Sequence, residues 1–221
     1  MISENLNAIQ HKIKSALGDS GRELDSCTLV GVSKTKPLSQ LKEAFNSGLR
    51  DFGENYVEEF FSKYKEYSPD ELNYHFIGRL PTKKVRKVVG HSELIHSVSS
   101  LKLAKKIDFV ASEEGLVQEI LIQINQGDEF SKSGFSHDIS NYLEDLMSLS
   151  NVKILGLMSI PPFTEPARPF FISLRKLRDD LETQFNIKLP YLSMGMSGDF
   201  EEAIAEGSTH VRIGTSIFGS R

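Results

Sequence analysis

Only one cysteine, Cys27, occurs in the 221 residues. A lone thiol can form no internal disulfide and no cysteine-based metal site, so Cys27 reads as a small buried hydrophobe ahead of a strand. No run approaches eighteen apolar residues, which argues against a membrane-spanning helix. The opening Met1-Ile2-Ser3-Glu4-Asn5 lacks the basic and then apolar layout of a secretory signal. These absences together predict a cytoplasmic protein. Excess basic charge is missing too, since 26 Lys and Arg against 30 Asp and Glu leave a formal net charge of −4. A dedicated nucleic-acid binder carries a basic footprint instead. The local exception, Arg79, Lys83, Lys84, Arg86 and Lys87, reads first as a solvated helix face and second as a weak site for an anionic partner.

What is present is a regular alternation. Ile2, Leu6, Ile9, Ile13 and Leu17 recur at steps of three and four, which predicts an amphipathic helix over 1–18 ended by Gly18. Short apolar runs follow at 28–33, 50–53, 74–78, 94–98, 119–125, 153–160, 191–194 and 210–213. Helical patterns separate them near 38–47, 54–66, 82–89, 100–113, 138–149, 167–185 and 199–206. Strand–helix alternation implies a parallel sheet. Eight strands in one chain of this length, with no composition break, suit a single α/β domain over 1–221: a (β/α)8 TIM barrel with an additional N-terminal helix. Little chain follows the last strand, and the N-terminal helix is expected to fill that gap in the outer ring. A doubly wound open sheet is the alternative, disfavoured because no glycine-rich dinucleotide fingerprint follows the first strand.

In a barrel the chemistry sits at the C-terminal ends of the strands. After strand 7 comes Ser193-Met194-Gly195-Met196-Ser197-Gly198, and after strand 8 comes Gly214-Thr215-Ser216-Ile217-Phe218-Gly219. Small residues let backbone N–H groups approach an anion and hydroxyls add donors, so both loops predict a phosphate site. At the end of strand 1, Val30, Val32 and Lys34 share one face. If that face is inward, Lys34 emerges at the mouth, where partial burial would supply a neutral amine able to attack an aldehyde. Otherwise Lys34 is a surface lysine opening a loop. Lys36 has the same parity but precedes Pro37 and is expected in the loop. Arg212, between Val211 and Ile213, faces opposite to both and needs a partner, either a protein carboxylate or a ligand acceptor. Asn55 and His75 are further strand-end candidates, His75 reading first as a hydrogen-bonded strand histidine and second as a site residue. Met158, Met194 and Met196 are expected as apolar lining near the mouth.

Together these segments resemble the pyridoxal-phosphate homeostasis proteins, relatives of the N-terminal barrel of alanine racemase. The matching stretches are Val32-Ser33-Lys34-Thr35-Lys36-Pro37, Phe52-Gly53-Glu54-Asn55-Tyr56, His75-Phe76-Ile77-Gly78, Ser131-Lys132-Ser133-Gly134, Gly156-Leu157-Met158-Ser159-Ile160-Pro161, Leu192 to Ser197 and Val211 to Gly219. The resemblance implies a fold-type III barrel binding pyridoxal 5′-phosphate as a Schiff base on Lys34. It also implies phosphate contacts from Ser197, Gly214 and Thr215, and Arg212 facing the pyridine nitrogen. The chain departs from the family pattern after Gly78: Pro81 and Lys83 stand where Gln and Asn are usual, although Lys84 is retained.

The cofactor-binding set expected from residues and resemblance is therefore Lys34, Asn55, His75, Met158, Ser197, Arg212, Gly214 and Thr215, with no metal. Eight strand candidates without an appended domain predict a monomer, and the resemblance implies a cofactor carrier or regulator in pyridoxal phosphate homeostasis, not an enzyme, with apo-enzymes that depend on the cofactor as recipients. An arginine at the pyridine nitrogen keeps the ring a poorer electron sink, and no second β-rich domain follows Arg221 to supply another catalytic base. Two alternatives stay open: a minimal amino-acid racemase using the same cofactor, and a lysine aldolase using none.

Overall fold

A computed structural model describes residues 1–127, 133–136, 138–162 and 165–220. Its centre is a closed barrel of parallel strands: β1 (Thr28–Val32), β2 (Asp51–Glu54), β3 (Asn73–Phe76), β4 (Leu94–Val98), β5 (Gln118–Ile124), β6 (Val152–Ser159), β7 (Tyr191–Ser193) and β8 (His210–Ile213). The strands follow one another in chain order, and β8 returns to pair with β1 from Thr28–His210 to Gly31–Ile213. A strand buried on both faces needs a near-continuous apolar run, which explains why these short segments stood out in the sequence.

The outer ring consists of α1 (Ile2–Asp19), α2 (Leu38–Asn46), α3 (Val57–Glu66), α4 (Leu101–Glu113), α5 (Ser140–Met147), α6 (Arg168–Phe185), α7 (Phe200–Ala205) and α8 (Thr215–Phe218). Because α8 is a single turn, a gap opens beside β8. Helix α1 fills it, burying Leu6, Ile9, Ile13 and Leu17 against α2, α7 and α8. The Asn5 amide donates to the Ile217 carbonyl at 3.0 Å across this contact.

Two expected boundaries are corrected. Gly18 does not end α1, which continues to Asp19. The reversal is made by Gly21, at φ +66°, so that the Arg22 N–H reaches back to the Leu17 carbonyl at 2.9 Å. A left-handed residue is what closes a helix in this way, and glycine takes that conformation without strain. The segment expected as a crossover helix near 82–89 is a 3₁₀ helix, Thr82–Lys87, in which Val85 alone is buried. The apolar stripe that suggested a helix is real but short: Val85, Val88 and Val89 are all buried, and the Val88 and Val89 N–H groups both reach the Val85 carbonyl, so the segment closes in tight turns instead of running on as an α-helix. Most of this basic face is ion-paired: Lys84 and Lys87 bond Glu58, and Arg86 bonds Glu113. Cys27 is half-buried rather than buried, and burial pushes its thiol up to about 11, with Arg22 opposing.

The barrel interior is divided. One part is apolar, where Leu94, Leu121, Leu155 and Met158 pack together. The other is polar, holding His75, His96, His210, Ser193 and Arg212, all buried. Barrel interiors are ordinarily filled by branched aliphatic layers, so this polar half marks where structure serves something other than packing.

Candidate functional site

The geometry of Lys34 is set by how β1 ends. Strand β1 ends at Val32, the Ser33 N–H makes a last bond to the Gly53 carbonyl at 3.1 Å, and a turn follows in which the Lys36 N–H bonds the Ser33 carbonyl at 3.1 Å. Thr35 sits at φ +61°, and its N–H is held by Glu59 Oε1 at 2.6 Å. The turn leaves Lys34 on the wall of the cavity at the barrel mouth beside Val32. Lys36 is carried away from it, and its ammonium donates to the Ser220 carbonyl at 2.8 Å.

Beneath this turn lies a buried cluster that the sequence reading did not single out. Ser33 Oγ donates to Glu54 Oε1 at 2.6 Å, and Lys63 Nζ donates to the same oxygen at 2.7 Å. Lys63 also reaches the Ser33 carbonyl and Glu59 Oε1, each at 2.7 Å. Burial pushes the Glu54 carboxyl above its usual range, with Lys63 opposing. The available signal was Lys63 itself, a lysine on the buried face that Val57 and Phe60 define in α3.

The cavity has a volume of about 610 Å³. Ile77, Ile160 and Pro161 give it apolar walls, while Lys34, Asn55, Glu165 and Arg212 are polar groups on its lining. The rim is formed by Met196–Asp199 and by Gly214 and Thr215, the loops after β7 and β8. Thr215 Oγ1 donates to Ser197 Oγ at 3.3 Å, joining the two loops. Among the described residues, the N–H groups of Ser197 and Gly198 make no hydrogen bond within the chain. Asp199 and Glu202 also line the rim, and the Asp199 carboxylate accepts from the Met196 N–H at 2.6 Å. An anion here would therefore be held by backbone and hydroxyl donors.

Arg212 is 4% exposed. Its guanidinium donates to Ser193 Oγ at 2.6 Å and to the Ser159 carbonyl at 2.9 Å. No carboxylate pairs with it among the described residues, so the protein partner considered from the sequence is not there. Burial lowers its pKa to about 10, with Asp199 opposing. Asn55 Oδ1 is buried without a hydrogen-bond partner, as is Ser159 Oγ. A buried cation lacking a counter-charge and an unsatisfied amide oxygen on one cavity are groups that a polar ligand would complete. Gly78 is needed to build this wall, because a Cβ there would lie 2.0 Å from the Asn55 carbonyl oxygen.

The cavity thus brings together Lys34, Asn55, Ser197, Arg212, Gly214 and Thr215. It does not take in His75 or Met158. His75 lies deeper in the barrel, bonded to His96 and Asp51, and Met158 packs in the apolar part of the interior. Met196 lines the rim, whereas Met194 points into the outer core. Ser131 and Lys132 lie outside the described residues.

The family model described as the alanine racemase N-terminal domain matches residues 5–221. A pyridoxal phosphate homeostasis protein of Aquifex aeolicus is 45% identical over 222 residues, covering 99% of this chain and 97% of its own. The protein of that name from Escherichia coli K12 is 39% identical, covering 100% and 97%. The chain belongs to the pyridoxal phosphate homeostasis protein family. A solved member of similar shape is PipY of Synechococcus elongatus with PLP bound, at 35% identity and a TM-score of 0.88, covering 99% of this chain and 100% of that one. An alanine racemase of Clostridium difficile superposes at a TM-score of 0.79 and 17% identity, with 56% of that chain covered, a likeness of fold alone.

Proposed function

We propose that this chain holds pyridoxal 5′-phosphate in the cavity at the barrel mouth, as a Schiff base on Lys34, and stores or delivers it in the cell without turning over a substrate. The observation that carries this reading is the gathering of Lys34, Asn55 and Arg212 with the two donor-rich loops around one cavity. The residues suit the cofactor. Lys34 would take the aldehyde carbon onto its amine with loss of water. Ser197, Gly214 and Thr215 would hold the phosphate, as uncharged donors do in many barrels. Arg212, lacking a carboxylate, would donate to the pyridine nitrogen.

Bound pyridoxal phosphate supplies an electrophilic carbon and a ring able to accept electrons. Arg212 would blunt the second property, because a guanidinium occupying the nitrogen's lone pair disfavours its protonation. That fits storage better than carbanion chemistry. Names of relatives that specify homeostasis, and a relative solved with PLP, support the same reading. With it go action as a single-domain monomer in the cytoplasm and transfer to apo-enzymes that need the cofactor. The test is spectroscopic and kinetic. Protein purified without a tag should show a visible absorption band removed by borohydride, and should not turn over common amino acids. Steady multiple turnover abolished by Lys34→Ala would make it a racemase-like enzyme instead.

A further inference from the structure

A chain of hydrogen-bonded side chains crosses the barrel interior to the cavity wall. Asp51 Oδ1, at the start of β2, lies 3.0 Å from His75 Nε2 on β3. His75 Nδ1 is 2.9 Å from His96 Nε2 on β4, and His96 Nδ1 is 2.8 Å from Ser193 Oγ on β7. Ser193 Oγ in turn accepts from Arg212 at 2.6 Å. His75 and His96 are buried, at 3% and 0% exposure, which shields the bonds joining them to each other and to Ser193 from water, while Asp51 at the outer end is partly exposed.

Arginine only donates, and an ionised carboxylate only accepts. Burial pushes the Asp51 carboxyl up, but the His75 and Asn73 contacts outweigh it and hold the group below its usual range. Asp51 is therefore ionised and takes its hydrogen from His75 Nε2. His75 Nδ1 then faces His96 Nε2 and accepts from it. His96, which burial keeps neutral, accepts at Nδ1 from the Ser193 hydroxyl. The serine oxygen is left to accept from Arg212. The opposite polarity requires a doubly protonated His75.

We propose that Asp51, His75, His96 and Ser193 are positioning residues for Arg212: they fix one guanidinium nitrogen on Ser193, leave for the cavity the donors that neither Ser193 nor the Ser159 carbonyl takes, and place a balancing carboxylate at the far end of the barrel. This rests on the reading of the cavity as a pyridoxal phosphate site with Arg212 at the ring nitrogen. Its consequence is selectivity for a ring bearing an unprotonated nitrogen.

Two measurements test it. Long-range proton–nitrogen correlation spectra of the histidine-labelled, cofactor-free protein should show hydrogen on Nε2 and none on Nδ1 in both His75 and His96. Affinities should then be compared for pyridoxal phosphate and its carbocyclic analogue, in which C–H replaces the ring nitrogen. Wild type should prefer the natural cofactor, and Ser193→Ala should reduce that preference about tenfold, the scale of losing a hydrogen bond to a charged group. Asp51→Asn, which keeps the shape and an acceptor, should reduce it less. Hydrogen on His96 Nδ1, or equal losses for the two ligands in Ser193→Ala, would overturn the inference, the second because a merely structural role weakens both. A wild type that binds both ligands equally overturns this inference alone. One that binds neither overturns the cofactor reading and this inference with it.

Discussion

The Lys63 ammonium lies 2.7 Å from the Glu54 carboxylate, and both side chains are buried beneath the turn that carries Lys34. The pair joins α3 to the ends of β1 and β2, because Lys63 also grips the Ser33 carbonyl and Ser33 Oγ grips Glu54. Lys34 thus stands on a floor made of charges rather than on a loop free to drift.

Removing one partner should be costly. Lys63→Met leaves Glu54 buried with a carboxylate whose Oε2 already lacks a hydrogen bond. A loss of about 3–5 kcal/mol is expected in denaturant unfolding, as for other buried pairs broken on one side. Glu54→Gln combined with Lys63→Met should be less destabilised than Lys63→Met alone. A loss under about 1 kcal/mol for Lys63→Met, the scale of an exposed ion pair, would contradict the burial argument.

The phosphate loops should contribute through hydroxyls. Ser197→Ala and Thr215→Ala should each weaken pyridoxal phosphate binding by about 1–3 kcal/mol in equilibrium titrations. An unchanged affinity in the double variant would place the phosphate elsewhere.

Acid should destabilise the barrel well above the carboxylate range. Burial lowers the His210 pKa from 6.5 to about 3, and pushes His96 well below its ordinary value. Such a histidine binds its proton in the unfolded chain and not in the folded one, so the stability it confers is full above pH 6.5 and lost as pH falls. At pH 5 His210 alone accounts for on the order of 2 kcal/mol, from 1.36 kcal/mol per pH unit below its unfolded value. Asp51, held below its usual range, adds a loss only below about pH 4. Unfolding curves between pH 7.5 and 5 should show this decline, and His210→Gln should flatten it. A flat wild-type profile over that range would contradict the depressed histidines.

Much of this was legible in the sequence, and the exceptions have physical causes. The strands β4 and β8 lie where their apolar runs placed them, because a parallel strand buried on both faces has no other way to be written. Lys34, Arg212 and the two small-residue loops meet at one cavity because barrel geometry collects strand ends wherever they fall along the chain. Contacts across the interior were not legible. Which inward side chains touch depends on strand tilt and stagger, so the meeting of His75 with His96, or the depth of Met158 below the mouth, does not follow from spacing. Nor did pattern distinguish Gly18 from Gly21 as the helix stop, since both are glycines near the end of one amphipathic stripe.

The central claim is that Lys34 carries the cofactor, and peptide mapping after borohydride reduction tests it most directly. Lys34 lines the cavity, whereas Lys36 is turned toward the Ser220 carbonyl. The pyridoxyl label should therefore be recovered on Lys34. Lys34→Ala should lose the visible band while keeping some affinity through the phosphate loops, and Lys36→Ala should retain the band. A label on Lys36, or an unchanged band in Lys34→Ala, would contradict the account.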